Sequence, residues 1–413
     1  MPTHSPEPAD SLAGSGAPPG SAWEVFGVFL RLGLSAFGGP VAHLGYFRAE
    51  FVQRRRWLDD AAYSDLVALC QFLPGPASSQ VGMALGLGRA GWRGALAAWL
   101  GFTLPSACAL ILFALGVQRW TGLATSGAVH GLKIAAVAVV AQAVLGMGRS
   151  LCPDWPRAGL AVVAALIVLA VPSAGAQWLA LGLGALVGWR VLALPAPVAP
   201  APHRDGGLGR RGGAWLVLLF VTLLVLLPLL AAFTGSTWVR AVAVVYQAGA
   251  LVFGGGHVVL PLLQAGVVAP GWIDNASFVA GYGAAQAVPG PLFTFAAYLG
   301  AAMPAVLGGG WAGGLALLLA IFAPAALLVL GALPFWASLC QHGAVRRALA
   351  GVNAAVVGVL GAALYDPVWT SAIQSRADVA LALGVFGLLL HGRCPPVLAV
   401  GLAALGGWGL AGP

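Results

Sequence analysis

The chain has 413 residues, of which 60% are hydrophobic and 8% are charged, and its mean hydropathy is +0.92. A soluble globular protein of this length does not show these values, so the sequence predicts an all-α polytopic membrane protein. The net charge of +8 comes mainly from arginines between apolar stretches. This placement excludes nucleic-acid binding as the best explanation of the charge and indicates contact with lipid headgroups.

The chain begins with residues 1–21, which are rich in Pro, Ser, Gly and Ala. They lack the basic and apolar regions of a signal peptide, so we predict a disordered tail. The first apolar segment runs from Trp23 to Gly39 and carries Glu24 and Arg31, seven residues apart on a similar helical face. We expect these two charges to pair with one another or to act in gating, with a substrate contact as the alternative for Arg31.

A helix-breaking motif then occurs twice inside long apolar stretches, as QFLPGP at 71–76 and as QAVPGP at 286–291. Proline lacks a backbone N–H group and glycine permits turns, so each motif predicts that one helix ends and another begins at the last proline. The new helices leave free N–H groups at Ala77–Ser79 and at Leu292–Thr294. Such helix starts bind anions through free donors and the positive end of the helix dipole.

Further along, four apolar runs complete the first half, near 92–117, 127–148, 159–171 and 177–194. A linker rich in Pro and Arg follows at 195–213, and an additional apolar helix without a counterpart follows at 214–236. We therefore predict a first domain at 22–194 and a second domain at 237–413.

The second domain repeats the first. Phe-Gly-Gly at 37–39 returns at 253–255, Trp-Leu-Asp at 57–59 returns as Trp-Ile-Asp at 272–274, and Gly-Trp at 91–92 returns at 310–311. The offset stays between 215 and 219 residues, which indicates an internal duplication. Duplicated transporters often place their halves in opposite orientations with a site at the pseudo-twofold axis.

The arginines favour inverted halves, because the loop after the first segment is basic and the matching loop at 256–275 has no Lys or Arg. Inversion needs an odd number of crossings between equivalent starts. If the broken element is a re-entrant hairpin, the first half supplies five crossings and the additional helix must not add a sixth. If the broken element crosses once, the additional helix must cross too. The sequence leaves this choice open and gives 10 to 13 membrane segments.

Other polar residues are candidates for the site. Lys133, the only lysine, lies in an apolar run and is a candidate counter-charge for an anion, with Asn353 at the equivalent place; the alternative is that Lys133 extends to the headgroups. Gln71 and Gln286 align before the two breaks. His43 and His257 do not align, so we expect hydrogen-bonded loop histidines and no shared metal.

Other classes of protein fit less well. A membrane enzyme usually needs clustered carboxylates, a His-Glu-x-x-His helix or a Ser/Lys pair, and the sequence contains none of these. The five scattered cysteines predict packing and no disulfide. We therefore predict a transporter with no catalytic or metal site and no cofactor, while a channel remains an alternative.

These motifs resemble those of the chromate ion transporter family in its long, two-domain form. The resemblance rests on FGGP at 37–40 with His43, RRRWL at 54–58 and QFLPGPASSQ at 71–80. In the second domain it rests on VFGGGHVVL at 252–260 and YGAAQAVPGPLFTFAAYLG at 282–300. It implies export of chromate across the bacterial inner membrane and chromate resistance.

Chromate is a tetrahedral dianion, which suits helix-start donors and hydroxyl groups. The alternative is a transporter of sulfate or another tetrahedral oxyanion, by uptake or exchange. The sequence leaves the oligomeric state open, a homodimer included. The predicted substrate-binding residues are Gly38, Gly39, Pro40, Gln71, Pro74, Gly75, Pro76, Ala77, Ser78, Ser79, Lys133, Gly254, Gly255, Gly256, Gln286, Pro289, Gly290, Pro291, Thr294 and Asn353, and the predicted charge or gating residues are Glu24, Arg31, His43 and His257.

Overall fold

A computed structural model describes residues 20–37, 39–119, 127–171, 174–194, 209–252, 259–336, 342–391 and 394–410, and every regular element in them is helical. The helices of the first half are α1 Ala22–Ser35, α2 Gly39–Phe47 with a π-helical extension Arg48–Arg54, α3 Asp60–Phe72, α4 Ala77–Arg119, α5 Gly127–Leu151, α6 Trp155–Ala170 and α7 Ala174–Val191. This confirms the predicted all-α membrane fold.

The remaining helices form an additional element and the second half. They are α8 Arg210–Thr234, α9 Thr237–Ala250, α10 Val259–Val267, α11 Asn275–Ala287, α12 Phe295–Ala302 after a 3-10 turn Leu292–Thr294, α13 Pro304–Leu307, α14 Gly310–Ala332 with a 3-10 turn Leu333–Phe335, α15 Gly343–Ala363 with a π-helical extension Leu364–Trp369 and a last turn Thr370–Ala372, α16 Arg376–Leu390 and α17 Pro396–Leu410. In the described part of the chain, five helices are long and apolar enough to cross a membrane alone: α4, α5, α8, and α14 and α15 with their extensions.

Two re-entrant hairpins open the first half. In the first hairpin, α1 and α2 lie side by side: Phe29 packs on Phe47 and Phe51, and Glu24 at the start of α1 meets Arg55 after α2 at 3.6 Å. The chain turns back between the end of α1 at Ser35 and the start of α2 at Gly39, and this turn is the tip of the hairpin. The first apolar segment therefore does not cross the membrane by itself.

The second hairpin contains the first break. Helix α4 bends sharply at residues 90–91 and so consists of a short first arm, 77–89, and a long second arm, 92–119. Arg89 at the end of the first arm lies over the ring of Trp57, which precedes α3, at 5.2 Å. Both ends of the broken element are therefore on the same side, and the break at residues 73–76 is its tip.

The second half repeats this arrangement. In the hairpin of α9 and α10, Val244 contacts Gly266, and Arg240 near the start of α9 lies 5.7 Å from the Trp272 ring. In the hairpin of α11 and α12, the Tyr298 hydroxyl donates to the Ser277 carbonyl at 2.9 Å. The second break, at residues 288–291, is the tip of this last hairpin.

The second arm of α4 shows that the halves are inverted. It starts beside the base of the first-half hairpins, where Gly94 packs on the backbone of Gly86. It passes the second break at Ser106 and ends where the Gln118 amide donates to the Ala301 carbonyl at 2.9 Å, at the base of the second-half hairpins. The two pairs of hairpins therefore enter from opposite sides and meet tip to tip.

The structure combines one feature from each of the two topologies that the sequence left open. The broken element is a hairpin, and the additional helix α8 is a crossing candidate of 25 residues. The first apolar segment, expected to cross, turns back as well, so an odd number of crossings follows if each helix between the equivalent starts crosses once. Five described helices then separate the equivalent starts: the second arm of α4, then α5, α6, α7 and α8. Helix α8 begins at Arg210, inside the predicted linker.

Candidate functional site

The two breaks are joined to opposite halves by a reciprocal pair of backbone hydrogen bonds. The Gly75 N–H group donates to the Val252 carbonyl at 2.6 Å, and the Gly290 N–H group donates to the Ala36 carbonyl at 3.0 Å. Ala36 and Val252 occupy equivalent places in the repeat, at the ends of α1 and α9. Each break therefore rests on the hairpin tip of the other half, and the four tips converge.

Gly75 and Gly290 suit this place because of their backbone conformation and their surroundings. Their φ angles are +123° and +106°, values that residues with a side chain rarely adopt. A Cβ on Gly75 would lie 2.9 Å from the Ala325 Cβ, and a Cβ on Gly290 would lie 2.8 Å from the Ser106 hydroxyl. The glycines thus allow each break to approach the crossing helix of the other half.

Buried polar side chains of the first half gather where the tips converge. In the described part of the chain, six of the nine buried polar or charged side chains lie there: His43, Ser78, Ser79 and Gln80 beside the first break, and Thr103 and Ser106 on the second arm of α4, where Ser106 faces the second break. His43 lies in α2, not in a loop as predicted, and its ring nitrogens lie 3.4 Å from the Ser78 hydroxyl and 3.2 Å from the Ala36 carbonyl. The Gln80 amide donates to the Pro74 carbonyl across the break at 2.8 Å.

Three atoms of this cluster have no hydrogen-bond partner among the described residues: Ser79 Oγ, Gln80 Oε1 and Thr103 Oγ1. Leaving a buried polar group unpaired costs about 1 to 3 kcal/mol, so a set of three is unusual in one place. Helix α4 begins here at Ala77, and its first N–H groups have no partner within the helix. The first half thus supplies the uncommitted polar groups of this region.

The second break is less polar. Its helix start carries Phe293 and Phe295 where the first half has Ser78 and Gln80. Thr294 is buried there, and its hydroxyl already donates to the Pro291 carbonyl at 2.8 Å. The site is therefore asymmetric although the backbone repeats.

The helices that lead to the two breaks differ in exposure. Helix α3 exposes Ser64, Ala68 and Gln71, a polar and small face that suits water better than lipid. At the equivalent positions of α11, Val279 and Gly283 are buried and Gln286 is half-buried.

Packing explains this difference. Helix α5 packs on α11 so closely that a Cβ on Gly283 would meet the Leu132 carbonyl. Helix α15, the counterpart of α5, has no comparable packing on α3 within the described ranges. The face of α3 that leads to the first break is therefore exposed, and the matching face of α11 is covered by α5.

Lys133 lies away from the breaks. It is half-buried on α5, one residue after Leu132, and interacts electrostatically with the Asp274 carboxylate at the start of α11. Its counterpart Asn353 on α15 has a buried Oδ1 without a partner in the described structure. Lys133 thus lies near the start of α11, on the helix that covers α11.

The charges of the first segment do not pair as predicted. Glu24 binds Arg89 at 3.2 Å and Arg55 at 3.6 Å, whereas Arg31 lies exposed near the tip of α1. The reason is that Glu24 sits at the base of the hairpins, where the arginines collect.

This base is a cluster of charges. Burial alone would raise the pKa of Glu50, but hydrogen bonds from Arg55 and Arg54 bring that pKa below its ordinary value. At the exposed edge, the bidentate Arg48 guanidinium lowers the pKa of Asp60. By the positive-inside rule, we predict that this arginine-rich side faces the cytoplasm.

Several predicted site residues lie outside the part of the chain that the structure describes. These residues are Gly38, Gly254, Gly255, Gly256 and His257, and the side chain of Pro40 is outside that part too.

Sequence reasoning missed three residues of the polar cluster, namely Gln80, Thr103 and Ser106. The available signal was a pair of hydroxyl residues three apart, around Pro105, in an otherwise apolar helix.

The family model of the chromate transporter matches the chain twice, over residues 23–189 and again over residues 239–408. The chain belongs to the chromate transporter family. The two matches to the family cover both inverted halves and leave out all of α8. No solved structure matches the chain.

Several proteins are similar to this chain, two of them along most of its length. A chromate transport protein of Pseudomonas aeruginosa is 29% identical over 407 residues, which cover 95% of this chain and 88% of that protein. A chromate transport protein of Cupriavidus metallidurans is 27% identical over 416 residues, 98% of each chain. An uncharacterized transporter of Bacillus subtilis is 31% identical over 121 residues, 29% of this chain and 66% of that protein.

Proposed function

We propose that the protein exports chromate from the bacterial cytoplasm across the inner membrane and so confers chromate resistance. The observation that carries this proposal is the reciprocal pair of hydrogen bonds that joins Gly75 and Gly290 to the opposite halves. It brings two helix starts together at the centre of an inverted repeat, where a dianion meets free N–H donors and positive helix ends.

The substrate site lies between the two breaks, with Pro74, Pro76, Pro289 and Pro291 shaping it. Export proceeds by alternating access, in which the halves move against one another around the bound anion. The exposed path along α3 starts on the arginine-rich side, so this state is suited to load chromate from the cytoplasm. Lys133 attracts the anion as it leaves along α11, because its charge lies near the start of that helix.

The membrane potential supplies the driving force. Moving a dianion out of a negative interior is favourable by about 4 to 5 kcal/mol at roughly 100 mV. Coupling to protons is therefore unnecessary for net export. The described membrane helices also offer few carboxylates that could carry a proton.

The test is chromate accumulation in cells with and without the protein. We expect lower accumulation in cells that contain it, and we expect the difference to shrink when an ionophore collapses the membrane potential. The same assay with excess sulfate measures how far the two oxyanions share the site. Higher accumulation in cells that contain the protein would mean uptake, and equal accumulation would overturn the proposal; a variant with Gly75→Ala serves as the inactive control.

A further inference from the structure

We propose that the oxyanion is held by the first half alone, by the N–H groups at the start of α4 and the hydroxyls of Ser79 and Thr103, with Gln80 as a positioning residue. The inference rests on the proposed function and deepens it. It adds two residues to the site and removes the assumption that equivalent breaks contribute equally.

The first argument is the state of the hydroxyl groups. Ser79 and Thr103 are 3% and 1% exposed, and neither hydroxyl oxygen has a partner among the described residues. A buried hydroxyl that serves only packing is usually hydrogen-bonded. Two hydroxyls that keep their hydrogens uncommitted beside a helix start are suited to donate to a tetrahedral oxyanion.

The second argument is the position of Thr103 on the second arm of α4. The preceding residue, Phe102, packs on the His43 ring at 5.2 Å, and His43 contacts Ser78 at the helix start. One turn later, Ser106 faces Gly290 of the second break, and its hydroxyl donates to the Thr103 carbonyl at 3.0 Å. Thr103 therefore lies between the start of α4 and the second break.

Gln80 has a different role. Because its amide nitrogen faces the Pro74 carbonyl, its Oε1 must be the free atom. A carbonyl oxygen repels an anion and accepts a hydrogen from water or a hydroxyl. The hydrogen bond to Pro74 joins the two sides of the break, so Gln80 fixes the direction of the helix start.

The third argument comes from the second half, which has lost the matching groups. Phe295 and Phe322 occupy the places of Gln80 and Thr103 in the repeat, and both are buried. Thr294, in the place of Ser79, already donates its hydroxyl hydrogen to the Pro291 carbonyl. The second half thus offers an apolar wall opposite the polar cluster.

The free hydroxyls are enclosed in this state. An anion therefore reaches them only when the hairpin tips move apart, and its arrival satisfies donors that are otherwise unpaired. Binding and opening are coupled for this reason.

Two buried threonines provide a matched test, Thr103→Val and Thr294→Val. In purified protein, we measure the melting temperature without ligand and the dissociation constant for chromate from its concentration-dependent thermal shift. Thr103→Val is expected to weaken chromate binding about tenfold or more, the worth of a hydrogen bond to a charged group, and to leave the melting temperature of the free protein equal or higher. Thr294→Val is expected to lower the melting temperature and to change the dissociation constant less than about twofold.

The result that overturns this inference is unchanged chromate binding in Thr103→Val, or a larger loss of binding in Thr294→Val. Ser79→Ala is a second variant for the case in which Thr103→Val does not fold, and it is expected to weaken binding as well. If the wild-type protein neither binds nor transports chromate, the proposed function itself fails. If the wild-type protein binds chromate and both first-half variants bind it equally well, only the one-sided site fails.

Discussion

At the scale of single residues, the two break glycines are the positions where the fold and the proposed site depend on the same atoms. Gly75 and Gly290 donate the hydrogen bonds that join the halves, and both need a backbone conformation that is costly for other residues. The neighbouring Ser106 hydroxyl and Ala325 methyl group leave little space for a side chain. A substitution therefore acts on the contact between the halves.

We expect Gly75→Ala and Gly290→Ala each to destabilise the protein by about 1 to 2 kcal/mol from backbone strain alone and to reduce chromate transport strongly. Thermal unfolding in detergent and transport in proteoliposomes measure the two effects. Gly88→Ala is the matched control, since Gly88 is helical, has open space around it and should tolerate a methyl group. Normal stability and transport in both break variants would contradict this role.

The sequence predicted part of the proposed site at this scale. The repeated Pro-Gly-Pro motif identified the helix starts, and with them Ser78 and Ser79, because proline and glycine act locally. It did not identify Thr103, because the place of this residue between the start of α4 and the second break depends on the packing of a helix arm that begins after a sharp bend. It also paired Glu24 with Arg31 by helical spacing, whereas tertiary contacts with Arg89 and Arg55 decided the outcome.

At the scale of helices, the re-entrant hairpin is the repeating unit. Each half contains two hairpins. The hairpins that contain the breaks differ between the halves in whether another helix covers them. Helix α5 closes on α11, while α3 exposes a face with Ser64 and Gln71. Transport by alternating access requires the reverse arrangement in the second state, with α15 closed on α3.

Cysteine accessibility tests which side is open. In a variant whose own cysteines are replaced, Ser64→Cys should react with a membrane-impermeant thiol reagent in inside-out vesicles, because Ser64 is exposed toward the arginine-rich side. The aligned Val279→Cys should be protected in vesicles of either orientation, because Val279 is fully buried under α5. Equal labelling of the two positions would show that the resting state is not open on one side.

The hairpins show what an apolar pattern can and cannot predict. The break within the second hairpin was predictable because Pro-Gly-Pro stops a helix. The turn of the first hairpin between α1 and α2 was not, since glycines in membrane helices more often serve close packing than reversal. Hydropathy alone does not distinguish two half-helices from one crossing helix, so the predicted count of 10 to 13 segments includes such pairs.

At the scale of the whole molecule, the arginine distribution predicted inverted halves, and the path of the second arm of α4 shows how they interlock. The arm runs from Gly94 at one base to Gln118 at the other and so joins both halves in one helix. Repeat offsets were enough to predict the duplication, which the family model matches as two regions. The sequence did not determine whether the number of crossings between the equivalent starts is odd or even. The first apolar segment and the broken element both turn back, and the effects of these two turns on that number cancel.

Separate synthesis of the halves tests this interlocking. We expect a chain cut within 195–208 and expressed as two pieces to reassemble and to lower chromate accumulation, because the contacts between the halves do not depend on a continuous linker. Each piece alone should be degraded or aggregate, since its hairpin tips lack partners. Copurification and accumulation assays measure this; activity of one piece alone would contradict the shared site.

The reciprocal hydrogen bonds between the tips also constrain how the protein is made. The Gly75 N–H group has its partner only after Val252 has been synthesised, and the Ala36 carbonyl has its partner only after Gly290. Until then, the tips of the first two hairpins contain backbone groups without hydrogen-bond partners, and lipid cannot form hydrogen bonds with these groups. The nascent first half needs water or an insertion factor around its tips, and the last step of assembly is the arrival of the second half.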